Sequence, residues 1–453
     1  MLVRFSVNNF LSFKDVATIK MAAGKARVHS DHVKTFGDGQ KILKGGIIFG
    51  ANASGKSNLI KAMDFAKKTI LEGSDPGKCY KKYFRINNLY EKKLGTFQFE
   101  LFTNGHFYSY GFSINYATAE IEEEWLHLLS SSGGEERIFE RGRNEYGKMI
   151  VEKQNKFNDA EDETIFNVIA TDISSDKMRR RTLLHELSNW RNDSKFYGVF
   201  RDIIDWFYNF IIIFPNSMYN NIDGLVRYDD SRSVLENYLR FFDTGIKSLA
   251  LRKKPFDTVF SNLPAEDKAQ LRERVVTKLA DLADSDLLVT VDYNEVMLKN
   301  DELVVEETMF NHGNSEDLFE FRDQSDGTQR LLHLIPVYDA TTDNCVIVID
   351  EIDRSLHSKA TQEFIRSFYK HAAQFNSQLI ATTHDTNILD LDLLRRDEIW
   401  LVEKTSDNAS VLKPLSHYNP RHDKGHNIGR DYLIGRYGAV PIFDHLALLA
   451  DEE

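Results

Sequence analysis

The sequence predicts an α/β protein: a mostly parallel sheet drawn from both ends of the chain, with an antiparallel β lobe and a mainly helical insertion. Three observations predict it. An apolar stretch at 42–49 runs straight into a glycine-rich turn and then into helix-forming residues at 57–71. Strand-like and helix-like runs alternate through the last third of the chain, the pattern of a parallel sheet. Between 83 and 128, apolar residues follow a period of two around an Asn104-Gly105 pair, the pattern of hairpins.

Taken in order, Leu2, Arg4 and Ser6 alternate with Val3, Phe5 and Val7, which makes a strand. Phe10, Phe13 and residues 16–21 supply a second strand, so 2–21 reads as a hairpin. Residues 24–39 are polar and Gly-rich and read as loop. Phe97, Phe99 and Leu101 alternate before the Asn-Gly turn, and 107–114 alternate after it. Residues 129–165 read as a charged, turn-rich connection. From about 165 to 280 the period turns helical. The most apolar run, 206–214, reads as a buried strand or a helix end broken by Pro215. Val289, Val291 and Tyr293 bring back alternation. Helices are expected at 328–340 and 359–375, and strands at 346–349, 379–383 and 399–403. These elements divide the chain into an N-terminal part at 1–165, a mainly helical insertion at 166–282 and a C-terminal part at 283–453.

A chain of 453 residues with 42% hydrophobic and 28% charged residues has the composition of folded protein. It has length enough for two or three domains. The 31 Phe residues point to an aromatic core. A net charge of -12 speaks against nucleic-acid binding by the surface as a whole but leaves room for a local basic groove. The cluster Lys177, Arg179, Arg180 and Arg181 is either a solvated helix face or a contact surface for nucleic acid or an acidic partner. Two cysteines, Cys79 and Cys345, make no disulfide framework and fit a reducing cytoplasm. The N-terminus lacks a signal-peptide core, and the 206–214 run is too short to span a bilayer, so no membrane segment is expected.

The turn Gly50-Ala51-Asn52-Ala53-Ser54-Gly55-Lys56-Ser57 fits the phosphate-loop pattern. Its glycines permit a tight turn whose amides face phosphate oxygens, and the following helix adds its positive end. Lys56 supplies charge to the β- and γ-phosphates, and Ser57 offers a hydroxyl to Mg²⁺. The strand at 345–349 ends in Asp350 and Glu351. Asp350 is placed to hold the metal and Glu351 to orient or deprotonate water; the alternative is a solvated acidic turn. His384, in Thr382-Thr383-His384-Asp385, is either a γ-phosphate donor at the next strand tip or a surface histidine. Gln324-Ser325-Asp326-Gly327-Thr328-Gln329-Arg330 precedes a helix. It is either a second anion-binding helix end or a plain helix cap.

Read together, these segments resemble the ABC-type P-loop ATPase head of the SMC, RecF and OLD-like proteins. Gly50, Asn52, Ser54, Gly55, Lys56, Ser57 and Asn58 fall on its Walker A loop and helix start, and Asp350 and Glu351 on its Walker B pair. Ser325, Asp326, Gly327 and Gln329 fall on the signature, Leu356 and His357 on the D-loop, and His384 on the switch histidine. The resemblance implies ATP and Mg²⁺ as ligands, Ser57 and Asp350 at the metal, and Glu351 and His384 in catalysis. It also implies ATP sandwiched between two copies, the signature of one capping the γ-phosphate held by the other. A homodimer or a multiple of dimers follows. Asp326 departs from the usual Gly of the signature, and no Gln-Gly pair marks a Q-loop.

More narrowly, Tyr83-Phe84-Arg85-Ile86, Tyr108-Ser109-Tyr110-Gly111-Phe112 and Gly435-Arg436-Tyr437-Gly438-Ala439-Val440-Pro441 resemble the AAA-15 and OLD-like ATPases of bacterial anti-phage and abortive-infection systems, of RloA-like or PARIS-like type. The sequence ends too soon after these residues for a Toprim domain. The resemblance therefore implies a separately encoded effector, a Toprim-like or HNH nuclease, with a phage protein or DNA as trigger. The basic residues Arg421, Lys424, Arg430 and Arg436 either dock that effector or line an acidic-ligand groove, or else cap the last strands. The alternative function is DNA repair or maintenance of the RecF or SMC type.

Overall fold

The computed structural model describes residues 1–440 except 27, 38, 131–132, 155–156, 158, 176–177, 191–192, 217–221, 282–288, 292–293, 300–301, 341–343 and 419–426. Lys177, Tyr293, Arg421 and Lys424 lie outside the described residues. The chain forms two compact units. The first comprises Met1–Asn216, Ala340–Asp353 and Thr361–Glu453, and the second Ser217–Asp339 and Arg354–Ala360. Residues 166–216 thus fall in the first unit and 283–339 in the second.

The first unit carries two large sheets and the small pair Val33–Thr35, Lys41–Leu43. One has the strand order Phe210–Ile213, Val346–Ile349, Gln378–Thr382, Gly45–Phe49, Ile399–Lys404, Ser410–Pro414. Its first five strands are parallel and the last is antiparallel. Strands such as Val346–Ile349 and Gln378–Thr382 are buried along their whole length, which is why 346–349 and 379–381 read as apolar runs. The other sheet is an antiparallel seven-stranded lobe. Its order is Met149–Lys153, Glu135–Arg143, Glu120–Leu129, His106–Asn115, Gly95–Thr103, Leu2–Asn8, Ala17–Lys20.

The helix Lys56–Glu72 buries Leu59, Ile60, Met63, Ala66 and Ile70, three or four residues apart, so one face is apolar. That face joins one continuous core with Phe5, Phe97 and Phe99 of the lobe and Ile48, Val348 and Ile380 of the parallel sheet. The buried Gln378 amide also joins the sheets: its oxygen accepts from Leu2 N, and its nitrogen donates to Leu2 O and Leu43 O. The phosphate-loop helix is therefore held on both sides.

The second unit contains the antiparallel sheet Ser248–Pro255, Glu302–Asn311, Asn294–Lys299, Val289–Val291. Phe256, Phe260, Val275, Val296, Leu303 and Val305 form a small core of its own.

Several elements differ from expectation. The 129–165 connection contains two strands, Glu135–Arg143 and Met149–Lys153, and the start of the helix Ala160–Ile173. The 165–280 segment is mostly helical but includes the strands Phe210–Ile213 and Ser248–Pro255. The apolar run at 206–214 is both helix end and strand, since the helix Lys195–Tyr208 stops just before Phe210. The loop at 24–39 contains a strand, Val33–Thr35, paired with Lys41–Leu43. The helix expected at 328–340 is two pieces, Asp326–Leu334 and Val337–Ala340. Pro336 lies at the break, because its ring clashes with the preceding turn and it has no N–H to donate. Both cysteines are buried free thiols. No helix among the described residues is long and apolar enough to cross a membrane.

Candidate active site

The strand Gly45–Phe49 delivers the chain to Gly50, and the helix Lys56–Glu72 leaves from Gly55. Both glycines are required by space. A Cβ at Gly50 would collide with Val402 O and Ser54 Oγ. A Cβ at Gly55, which has φ +116°, would collide with the hydroxyls of Ser410 and Ser12. The turn is braced from outside: Ser410 Oγ donates to Ser54 O (2.5 Å) and lies 2.8 Å from the Ser12 hydroxyl. Asn58 Nδ2 also donates to Ser12 Oγ, at 2.8 Å. Ala51 N donates to Ala439 O (2.9 Å), so the Gly-Arg-Tyr-Gly-Ala segment touches the loop. Asn52 and Ala53 are exposed at its tip. Ser54 Oγ is buried with no hydrogen-bond partner among the described residues.

Lys56 Nζ donates to Gly50 O (2.7 Å) and Ala51 O (3.0 Å) and lies 3.3 Å from His384 Nδ1. Burial pulls its ammonium down to about 8, against the opposing charges of Asp350, Asp353 and Glu351. Burial, followed by the Lys56 charge, also lowers the His384 imidazole, which keeps the ring neutral at pH 7. An ammonium only donates, so His384 Nδ1 is the acceptor and its proton sits on Nε2.

Strand order explains the rest. The Gln378–Thr382 strand lies between the phosphate-loop strand and the Val346–Ile349 strand. Thr382 therefore reaches both sides: its hydroxyl donates to Asp350 Oδ1 (2.6 Å) and accepts from Glu351 N (2.8 Å). Ser57 Oγ donates to the same Asp350 oxygen at 3.1 Å. Glu351 has φ +51°, a left-handed conformation uncommon for a residue with a Cβ, so the chain turns sharply between the two carboxylates. Asp353 Oδ2 accepts from His384 N at 3.2 Å, and its Oδ1 is buried without a hydrogen-bond partner among the described residues. Lys56, Ser57, Asp350, Glu351 and His384 are thus joined within one unit through their side chains and backbone. Thr382 and Asp353 are members that the sequence reading missed. Thr382 stood in the segment quoted for His384, but only strand order gives it a place.

The signature residues lie in the second unit. Ser325 caps the helix Asp326–Leu334, accepting from Thr328 N at 3.2 Å, which is the helix-cap geometry. Gln329 Nε2 donates to Gln324 O at 2.9 Å. Gly327 packs so near Ser355 O that a Cβ there would sit 2.9 Å from it. Asp326 is exposed. Leu356 is half-buried, and exposed His357 accepts from Lys359 N through Nδ1 at 3.1 Å, at the start of the helix Ser358–Ala372. Of the basic cluster at 179–181, Arg181 pairs with Glu186 and Arg179 with Glu120, the geometry of a solvated, paired face.

Residues 47–390 match the family described as "AAA domain, putative AbiEii toxin, Type IV TA system". The chain belongs to this family of AAA domains. The AAA domain has no match among curated proteins. Among solved structures it is similar to the SMC head domain from Thermotoga maritima, with 13% identity and a TM-score of 0.37 over 91% of this chain and 98% of that one. It is also similar to the SMC head bound to the C-winged helix domain of ScpA, with 14% identity and a TM-score of 0.38 over 91% and 96%. For the SMC head with an extended coiled coil bound to the C-terminal domain of ScpA from Pyrococcus furiosus, the values are 13%, 0.35, 92% and 97%. The mixed α/β architecture is that of a P-loop ATPase head.

The residues of this AAA domain fit a nucleotide and Mg²⁺. The turn would be blocked by any Cβ at Gly50 or Gly55, and the buried Ser54 hydroxyl has no partner among the described residues. Ser57 and Asp350 offer hard oxygens of the kind Mg²⁺ takes.

Proposed function

We propose that the chain binds and hydrolyses ATP with Mg²⁺, that two copies close on the nucleotide, and that the nucleotide state controls a separately encoded effector in anti-phage defence. The observation that carries the hydrolytic reading is the bonded set Ser57–Asp350–Thr382–Glu351, with Lys56 against His384. The turn amides and the start of the Lys56–Glu72 helix receive phosphate oxygens. Lys56 leaves the carbonyls of Gly50 and Ala51 for the β- and γ-phosphates. Ser57 and Asp350 would hold Mg²⁺, which neutralises phosphate charge when bound. Glu351, turned away from Asp350, orients water and takes its proton. His384 offers Nε2–H to the γ-phosphate. Ser325 and Gly327 of a second copy complete the site from the other side, as the ABC-type resemblance implies.

The family description, which names a putative AbiEii toxin of a type IV toxin–antitoxin system, supports the defence role. A Toprim-like or HNH nuclease remains the effector proposed, triggered by a phage protein or DNA. The test is ATP turnover by the wild type, Lys56→Ala and Glu351→Gln. Wild type turns over; Glu351→Gln binds ATP but hydrolyses it at least about 100-fold more slowly; Lys56→Ala loses binding. Normal turnover by Glu351→Gln overturns the catalytic assignment. Stimulation by duplex DNA with a steep salt dependence would move the chain to the repair class. Co-purification with the product of a neighbouring gene tests the effector.

A further inference from the structure

Residues His29-Ser30-Asp31-His32 lie in the first unit, outside the phosphate loop. Ser30–His32 form one 3₁₀ turn, and His29 is its N-cap residue. Positions i and i+3 of such a turn eclipse. The two imidazoles accordingly stack, with centroids 4.8 Å apart and planes at 23°. One ligating atom from each of His29, Asp31 and His32 falls within 4.8 Å of the others. Two imidazoles and a carboxylate make a ligand set of the catalytic-zinc type, three protein ligands and one open position.

A second observation concerns what stands behind the rings. His29 Nε2 lies 2.9 Å from Leu391 O. A carbonyl only accepts, so Nε2 carries the proton and Nδ1 keeps its lone pair. His32 Nδ1 lies 3.1 Å from both oxygens of the fully buried Glu398 carboxyl. Nδ1–H donates to that carboxylate, which leaves Nε2 as the basic nitrogen. Metal-ligating histidines have this outer arrangement: the far nitrogen is held by a carboxylate or a backbone carbonyl, which fixes tautomer and ring plane. The supports are themselves fixed. Arg395 N donates to Glu398 at 2.8 Å, and the Tyr369 ring stacks on His32 at 3.4 Å and 6°. His29 is held at φ +48°, a left-handed conformation that residues with a Cβ rarely adopt.

We propose that His29, Asp31 and His32 bind one Zn²⁺ ion through His29 Nδ1, His32 Nε2 and an Asp31 carboxylate oxygen, with water as the fourth ligand. Nitrogen donors select zinc over Mg²⁺, which prefers oxygen and an octahedron. Tetrahedral zinc with bonds of about 2.0–2.1 Å needs donors roughly 3.4 Å apart. The present spacing closes at the exposed Asp31 carboxylate, while the rings keep their bonds to Leu391 and Glu398. Bound metal would pin the 29–32 turn to the 391–398 segment through Leu391 and Glu398.

The full chain, stripped of metal with a chelator and kept free of nucleotide, is titrated with Zn²⁺ against a chromophoric competitor. It is also titrated with Co²⁺, read by visible absorption. The expected results are one zinc equivalent per chain and the intense d–d bands of four-coordinate cobalt. The double variant His29→Ala, Asp31→Ala loses both while retaining the wild-type circular dichroism. Glu398→Gln, which alters the group holding His32 but no ligating atom, lowers zinc affinity about tenfold to a hundredfold, a shift a merely structural carboxylate would not produce. Absence of a zinc equivalent in the wild type, or unchanged binding in the double variant, overturns the proposal.

Discussion

Lys56 shows how much one side chain can report about the site. Burial holds its ammonium at about 8, below the usual lysine value. Between that value and the unfolded one, the unfolded chain binds a proton that the folded chain lacks, so this residue makes stability rise with pH over that window. Nucleotide phosphates reverse the effect by raising the Lys56 value again. ATP affinity is therefore expected to be flat below pH 8 and to weaken above it by up to about tenfold per pH unit. Calorimetry at pH 7 and pH 9, in buffers of different ionisation enthalpy, should show proton uptake only at the higher pH. Lys56→Arg, whose charge does not titrate in this range, should lose the slope even if its affinity is lower. A second expectation concerns Thr382, whose hydroxyl serves Asp350 and Glu351 together. Thr382→Val keeps the shape and removes the bridge. ATP turnover should fall while nucleotide binding persists, and unchanged turnover would show that the bridge is dispensable. Lys56, Ser57 and the acidic pair were legible in the sequence because their spacing along the chain is itself the signal. Thr382 and Asp353 were not, because their role depends on which strands are neighbours.

Among the elements, the antiparallel lobe is pinned to the helices beside it by a buried ion pair. Glu124 and Arg141 are both fully buried, on adjacent strands. Glu124 also accepts from Tyr110 OH (3.0 Å), Leu183 N (2.7 Å) and Leu184 N (3.0 Å), so it caps the helix Leu183–Ser188 from the sheet. Burial raises the Glu124 carboxyl and lowers the Arg141 guanidinium despite their mutual attraction. Desolvation thus outweighs pairing, and neither group tolerates losing the other. Glu124→Ala should cost roughly 3–5 kcal/mol in urea unfolding, because a buried guanidinium loses its counter-charge. A double variant replacing both residues with apolar ones should recover much of that loss. This lobe also shows why part of the fold was hidden. Strand Gly95–Thr103 alternates apolar and polar residues cleanly, whereas Glu135–Arg143 carries Glu135, Glu136, Arg137, Glu140, Arg141 and Arg143. Its charges are matched by ladder partners such as Glu122 for Arg143 and Glu152 for Arg137, and cross-strand pairing of that kind leaves no period-two apolar signal.

For the whole molecule, the open question is how the signature segment acts. In the sequence it had two readings, a helix cap or an anion-binding end, and Ser325 does cap its own helix. The readings are compatible. The Ser325 hydroxyl accepts from Thr328 N, but a hydroxyl also donates, and the first amides of the Asp326–Leu334 helix still point outward along its axis. The segment can thus present donors to a phosphate on another chain while its own helix start stays satisfied. Asp326, exposed beside it, opposes that role, since a carboxylate repels a γ-phosphate. These two effects give opposite expectations for two variants. Ser325→Arg fills the approach to the phosphate, so it should abolish hydrolysis and ATP-dependent dimerisation while a single chain still binds nucleotide. Asp326→Gly removes the repelling charge, so with Glu351→Gln in the background it should strengthen the ATP-bound dimer. Sedimentation with ATP, ADP and no nucleotide separates the cases. An ATP-dependent dimer weakened by Ser325→Arg and strengthened by Asp326→Gly places the segment at the nucleotide between two copies. If both variants leave association and turnover unchanged, Ser325 is a helix cap and nothing more.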